Sequence, residues 1–423
     1  MLRVMDAATP QIVTAPFFGP RVVRGAFVLA MCGWGLGFYG LPVYLHAVLE
    51  RTGWSLAFVS GAVTLHHLVG AWVVTRLPRW HARFGVGRVA TVGAVVTTLG
   101  VLGWAWCREP WQLVLAAVFS GGGWVTMGAV AVNAAIAPWY ERTRPLALAK
   151  AYNGASVGGV VFSPLWVSLI AGLGFGAAAL GIGVFTIATM AWLAATVFAA
   201  TPERLGQRPD GDAAGVPALQ PDDAAPRVER LWRDRRFQTL ATGMAIGLFA
   251  QIGLLAHLFN LLVPVLGAQH AGWAMGFATA CAIGGRYVVA WAMPASADRR
   301  VVAALAYAIQ LIGTLLLALA PEPSVAAIVL AIALFGSGIG NATSLPPLIA
   351  QVEFARADVS RVVAGIVASA QATYAFAPAV FGALLAVSGG ASARIGHGAG
   401  AMLAAVACAQ IAAIGCFVVG RRR

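Results

Sequence analysis

The chain alternates long stretches free of Asp, Glu, Lys and Arg with short charged breaks. A helix crossing about 30 Å of hydrocarbon needs about 20 mostly apolar residues. The uncharged stretches are 25–49, 52–75, 89–107, 110–140, 151–202, 237–285, 301–321, 323–352, 362–393 and 395–420. The 151–202 stretch is too long for one crossing and is expected to break at Gly172-Leu-Gly174-Phe-Gly176. The 237–285 stretch breaks likewise at Gly267-Ala-Gln-His-Ala-Gly272, its second helix continuing through Arg286 to about Met293. The pattern predicts twelve transmembrane helices, numbered 1 to 12 in chain order, and an all-α membrane protein.

Between helices 6 and 7 the apolar pattern stops. Thr201–Arg236 holds five prolines, seven acids and seven arginines, and reads as a flexible cytoplasmic linker ending in a short surface helix near Val228–Phe237. The expected organisation is a six-helix half over 1–200, the linker over 201–236 and a second six-helix half over 237–423. The halves resemble each other. Phe119-Ser-Gly-Gly-Gly in helix 4 parallels Phe335-Gly-Ser-Gly-Ile-Gly in helix 10, and Ala82-Arg83-Phe84-Gly85 parallels Asp298-Arg299-Arg300, both at an offset of 216; Phe162-Ser-Pro164 parallels Phe376-Ala-Pro378 at 214. Such pseudo-symmetric halves place a substrate site near the bilayer midplane, at their interface.

Composition narrows the class further. Hydrophobic residues make up 60% of the 423 positions and charged residues 10%, against about 25% charged in a soluble domain. A soluble protein, a disordered chain and a disulfide scaffold are excluded. The net charge of +13 is a topology signal. With the N-terminus cytoplasmic, 24 basic residues fall on the cytoplasmic side, three (Arg51, Arg108, Arg394) outside and one within a helix. Both termini are therefore expected in the cytoplasm, and no nucleic-acid partner is expected, because the basic residues are not clustered on a soluble face. Lys150 is the only lysine; this bias towards arginine suggests a bacterial inner (plasma) membrane. Cys32, Cys107, Cys281, Cys408 and Cys416 form no metal or disulfide pattern.

Arg83-Phe84-Gly85-Val86-Gly87-Arg88, between helices 2 and 3, retains part of a Gly-x-x-x-Asp-Arg-x-Gly-Arg signature, with Pro78 and Ala82 in place of its Gly and Asp. On this loop, its Asp298-Arg299-Arg300 counterpart and the repeat, the chain resembles the major facilitator superfamily over essentially its whole length. Three segments resemble its monocarboxylate porter and oxalate–formate exchanger branch: Gly33-Trp-Gly-Leu-Gly-Phe-Tyr-Gly-Leu-Pro42-Val-Tyr-Leu-His46, Ala137-Pro-Trp-Tyr-Glu-Arg-Thr-Arg144 and Tyr152-Asn-Gly-Ala-Ser-Val-Gly-Gly159. The chain departs from that branch in lacking a helix 1 lysine, in having Ala282 where its porters carry aspartate, and in lacking a helix 11 lysine. The resemblance implies gating loops at Arg83, Gly85 and Arg88 and at Asp298 and Arg299, and a central cavity lined by helices 1, 4, 7 and 10.

Arg286 is the only formal charge in the interior of a predicted helix. An arginine at the bilayer centre costs about 2.5–3.5 kcal/mol on insertion scales, so it faces a cavity or a partner. All fifteen acids fall in loops, tails or helix ends. Two roles are open: holding a substrate anion in its guanidinium fork, or a structural one, bonding to neighbouring carbonyls. His66, His67 and His257 are candidates for proton coupling, or neutral side chains bonded between helices; His66 and His67 point about 100° apart and cannot share one cavity. The resemblance selects Tyr39, Asn133, Gln251 and Asn341 as further substrate-binding candidates, and Tyr374, another polar intramembrane residue, is a candidate besides them, against a reading as packing between helices.

No nucleophile elbow, phosphate loop, paired catalytic acids or metal triad is present, so neither an enzyme nor a cofactor is expected. The expectation is a monomeric secondary transporter working by alternating access on a small organic anion such as a monocarboxylate, with a co-transported proton or an exchanged anion. The alternatives are an exporter of hydrophobic or neutral compounds and a transporter-like membrane sensor.

Overall fold

Proline, glycine and apolar run length together set where the helices begin, bend and end. A computed structural model describes residues 16–211, 231–294, 296–319, 324–389, 394–395 and 398–421. Helix 1 runs in two segments, Gly19–Gly37 and Leu41–Thr52; helix 2 is Leu56–Val74 and helix 3 Val86–Trp106. Helix 4 passes from Pro110–Trp124 through a tight turn into Ala129–Ile136. Helices 5 and 6 are Arg144–Leu173 and Phe175–Thr196. Helices 7 to 10 are Arg235–Leu266, Ala268–Ala292, Arg299–Leu319 and Val325–Glu353. Helix 11 is split into Arg356–Tyr374 and Ala377–Ser388, and helix 12 is Gly400–Val419.

Among the described residues eleven spans are long and apolar enough to cross a membrane. The twelfth, helix 8, has the length at 25 residues but carries Gln269, His270 and Arg286. Exposed tryptophans mark two belts, with Trp106, Trp111 and Trp273 at one level and Trp72, Trp192, Trp232 and Trp291 at the other, as amphipathic rings do at bilayer interfaces. We call the level that carries Gly19 and Val419 the basic face.

The two breaks expected from glycine are single-residue turns. Gly174 (φ 80°) and Gly267 (φ 76°) take the left-handed backbone that lets a helix end and the next begin at once. Two other breaks come from proline. Pro42 lacks an N–H and crowds the carbonyl of Phe38, and helix 1 interrupts there; Pro378 stands in the same relation to Tyr374 in helix 11. A surface helix, Leu77–Phe84, occupies the connection between helices 2 and 3, which the hydropathy pattern leaves as loop.

The surface helix expected near residues 228–237 is not formed in its described part. Only a 3-10 turn, Leu231–Arg233, precedes helix 7. The Asp234 carboxylate caps the helix by accepting from the Arg236 N–H at 2.7 Å, so Phe237 enters helix 7 and is fully buried; residues 228–230 lie outside the described residues. Residues 201–211 lie against the first six helices. There the Asp210 carboxylate accepts the N–H groups of Glu141, Arg142 and Thr143, and the Asp210 N–H reaches the Trp139 carbonyl.

Four apolar cores fill the bundle. Those at the basic face stay within one half each: one is built from helices 1 and 3 to 6, a smaller one from helices 2 to 4 with the surface helix, and the third from helices 7 and 9 to 12. At the opposite face a single core runs through all twelve helices, from Leu36 to Val406. Helices 4 and 10 pack within their own six, and the packing between the sixes is of helix 1 on 7, 2 on 11 and 5 on 8. The molecule is thus sealed at the opposite face and divided at the basic face.

Close approach within the first half depends on glycine. A Cβ at Gly154 in helix 5 would collide with the Phe27 carbonyl oxygen of helix 1, whereas one at Gly181 meets nothing within 4 Å. Gly154→Val is therefore expected to cost about 1–3 kcal/mol, read as a lower unfolding temperature of the purified protein, with Gly181→Val close to wild type.

Candidate functional site

The divided basic side and the sealed opposite side meet near mid-bundle, where helices 5 and 8 cross between the halves. Arg286 lies on helix 8 about one and a half turns from the helix midpoint, towards the basic face. Long helical side chains lean towards the helix N-terminus, so the guanidinium is carried back towards the middle of the bundle. There its Nη2 donates to the Ser156 Oγ of helix 5 at 2.6 Å, bridging the two halves. Its Nε is buried without a partner. The carboxylates of Glu50, Asp234, Asp298 and Glu353 meet His46, Arg236, Arg421 and Arg300. Among the described residues Arg286 makes no ion pair.

Glycine and asparagine of helix 10 make room for this side chain. A Cβ at Gly340 would collide with the Arg286 Nε. Beside it Asn341 donates its Nδ2 to the carbonyls of Gly285 and Ser337 at 3.3 Å each, tying helix 10 to the backbone next to Arg286. Asn341 thus borders the site while its amide nitrogen serves the packing of helices 8 and 10.

Tyr39 connects Arg286 to a small cavity. It lies within electrostatic range of the guanidinium and stands with Thr279 against Gly159 of helix 5. The cavity, about 20 Å³ and roomy enough for about one water, is lined by Phe38, Tyr39, Pro42 and His67 from the first half and by Ile252, Leu255, Ala256 and Met275 from the second. It is mostly apolar.

The three histidines divide into two kinds. His67 Nδ1 lies 2.9 Å from the Val63 carbonyl, which can only accept, so Nδ1 carries the proton. Nε2 is then an acceptor, buried without a partner, in a ring that lines the cavity. Tyr374 of helix 11 meets that ring edge-on, with centroids 6.2 Å apart across the halves. His66 turns the other way, bonding the Ser120 Oγ at 2.9 Å and stacking on Trp124. His257 Nε2 donates to the Pro378 carbonyl at 2.9 Å and joins helix 7 to helix 11. The structure therefore brings together Arg286, Tyr39, His67 and Tyr374 along the interface, and sets His66 and His257 within the halves.

Asn133 and Gln251 stand apart from this group. Asn133 bonds the Ala129 carbonyl and the Tyr152 hydroxyl, on the first-half wall towards the basic face. Gln251 is buried in helix 7 with its Oε1 unpartnered.

The two basic-face loops differ. Arg83, Gly85 and Arg88 are exposed; Arg83 lies over the Phe84 ring, and Gly85 (φ 79°) ends the surface helix. In the second half Asp298 accepts from the Arg300 N–H and from Arg421, Arg299 donates to the Leu348 carbonyl, and the fully buried Arg300 pairs with Glu353 at 2.6 and 2.8 Å. Partial burial works against ionisation of Asp298, but the bonds from Arg421, Arg300 and Val301 outweigh it and hold the carboxyl below the usual carboxylate range. Ala82 offers no such carboxylate, which explains the looser first-half loop.

Sequence reasoning missed Ser156, because its partner lies 130 residues away, and the Arg300–Glu353 pair. It also missed a hydrogen bond between His46 and Asn260 on the sealed side. The offset of 214 between those two residues, already visible in the repeat, was the available signal.

The family model described as Major Facilitator Superfamily matches residues 25–372. Among curated proteins, the MFS transporter asaE of Aspergillus flavus is 27% identical over 348 residues, 78% of this chain and 72% of that one. Among solved structures, the nucleoside transporter NupG superposes with a TM-score of 0.71 at 11% identity, over 96% of this chain and 100% of that one. A bacterial homologue of the human lysosomal transporter Spinster, inward-facing and occupied, superposes at 0.62 and 13% identity over 96% of each chain. At these identities the two superpositions speak for the fold alone.

The division at the basic face predicts one-sided access. With the five native cysteines replaced, a cysteine at Asn133 is expected to react with a membrane-impermeant thiol reagent supplied to the basic face. One at Asn260 should stay protected from both sides.

Proposed function

We infer the cargo from one premise: the chain belongs to the Major Facilitator Superfamily and is a secondary transporter rather than an enzyme. The cargo we propose is a small organic anion, a monocarboxylate with a short apolar tail. The observation that carries this is Arg286, a guanidinium without an ion pair at the interface of the halves, with an unpartnered Nε. A carboxylate supplies the missing charge and accepts from the fork, while the apolar residues between Phe38 and Met275 suit the tail once their small cavity widens as the halves move. Tyr39 stands between the two. The nucleoside cargo of NupG does not carry over, because that likeness extends to the fold alone.

The six-helix halves, 1–200 and 237–423, are the moving bodies, connected through 201–236. Cargo exchanges with the basic face in the state described above and with the opposite face after the halves rock, the basic face being cytoplasmic in a bacterial inner membrane. His67 is the proton-coupling residue in this reading, since its free Nε2 faces the space that cargo traverses. His66 and His257 hold helices together.

Arg286→Gln, at matched expression, is expected to lower uptake of a labelled short-chain monocarboxylate by about tenfold or more, the worth of one or two hydrogen bonds to a charged group. Unchanged uptake would sink the anchor; toxicant resistance conferred equally by wild type and Arg286→Gln would favour a neutral cargo. Separately, His67→Gln should abolish accumulation driven by a pH gradient while leaving exchange at equal pH, and His66→Asn should leave the gradient response in place.

A further inference from the structure

On the sealed side the two halves are joined by a hydrogen bond between equivalent positions of the repeat. His46 lies on the second segment of helix 1, and Asn260, 214 residues later, on helix 7. Helix 7 begins 216 residues after helix 1 and ends 214 after it. Residues that meet their own equivalents lie at the pseudo-two-fold axis. There His46 Nδ1 is 2.8 Å from Asn260 Oδ1, the ring packs edge-on against Phe259, and Nε2 lies 3.3 Å from Glu50 Oε1, one helical turn on. Asn260 is buried, while Glu50 is largely exposed.

We propose that His46 is a proton-binding site that latches the gate on the face opposite the basic one. Both neighbours of the ring, Asn260 Oδ1 and the Glu50 carboxylate, are acceptors. A neutral imidazole has one N–H and satisfies one of them, leaving its other nitrogen lone pair against an oxygen; the imidazolium donates to both. Binding a proton therefore strengthens the bond between the halves and the ion pair beside it, and losing the proton loosens both. Asn260 Nδ2 has no partner in the arrangement that gives His46 an acceptor. Turning the amide over would set its NH2 group against a protonated ring nitrogen, donor against donor.

Among the described residues the other titratable groups on the packed elements at this face do not bridge the halves: His270, in the first turn of helix 8, is exposed and bonds the Leu266 carbonyl within its own half. Arg51, five residues along helix 1, turns away to the carbonyls of Trp104, Ala105 and Cys107. On helix 7 the next titratable side chain is His257, bonded to Pro378. Helix 2 carries none before His66, the outer half of helix 5 carries none, and helix 3 is followed by Arg108 beyond its end. Histidine is the side chain that changes charge between pH 5 and 8. Acid at this face thus favours the closed gate, so a proton taken up there closes the opposite face once cargo has entered.

The test reads the gate and not the cargo, so it stands apart from the assignment of Arg286. Spin labels at Thr52→Cys and Val265→Cys, in full-length protein with its native cysteines replaced and held in lipid nanodiscs, report the separation of helices 1 and 7. Between pH 8 and pH 5 the closed population relative to the open one is expected to rise up to about fivefold, the range of a partly exposed ion pair. His46→Gln, which bonds Asn260 but does not titrate, should remove that rise. Glu50→Gln, at an exposed position that folding does not depend on, should shrink it, and Arg286→Gln should leave it intact. A wild-type protein without the rise, a His46→Gln protein that retains it, or a rise lost only in His67→Gln would each overturn the proposal.

Discussion

A guanidinium held in the apolar interior without a carboxylate partner among the described residues is the constraint around which the centre of this protein is arranged. An arginine at that depth must be solvated by something. The chain meets the need in part: one hydroxyl from the opposite half, a glycine that makes room, and an asparagine that fixes the adjoining backbone. The unpartnered Nε shows that the solvation is incomplete. An interior charge left short of partners suits an anion, and on the function proposed above its position between the halves would couple that anion to their relative movement.

The arrangement of the cores suits the rocking movement proposed above. Apolar surface that is continuous through both halves at one face holds them together there, while the cores at the other face each stay within one half and leave it complete in itself. Rocking requires the continuous core to divide and another to form, with little change inside either half. Opposite-face contacts are correspondingly slender in polar terms: Ala379 N–H to the Thr64 hydroxyl, Ser168 to Gln269 and His46 to Asn260. Each is weak enough to break within a transport cycle, because a typical hydrogen bond contributes only about 0.5–1.5 kcal/mol net.

Much of this was legible in the sequence, and the reasons for the remainder are physical. Run lengths and the glycines at 174 and 267 foretold the spans, because hydropathy and positive φ are local properties. The break after Gly37 follows from Pro42 but is hidden inside one uninterrupted apolar run. That His66 and His67 could not share one cavity followed from helix geometry; that it is His67 that lines the one between the halves depends on how helix 2 is rotated by its packing on helices 4 and 11. Asn133 and Asn341 were chosen for the helices they sit on, and packing uses both amides to join neighbouring helices. Ser156 could not be singled out among many intramembrane hydroxyls without knowing what crosses it.

Whether Arg286 anchors an anion is decided by ligand-induced stabilisation of the purified protein, using matched pairs of short-chain monocarboxylates and the corresponding neutral amides. A ligand that binds the folded state raises its unfolding temperature in proportion to the logarithm of its saturation. A carboxylate is expected to raise it, its amide is not, and the difference should vanish in Arg286→Gln. Equal stabilisation by the amides, or a carboxylate effect that survives in Arg286→Gln, would contradict the anion site.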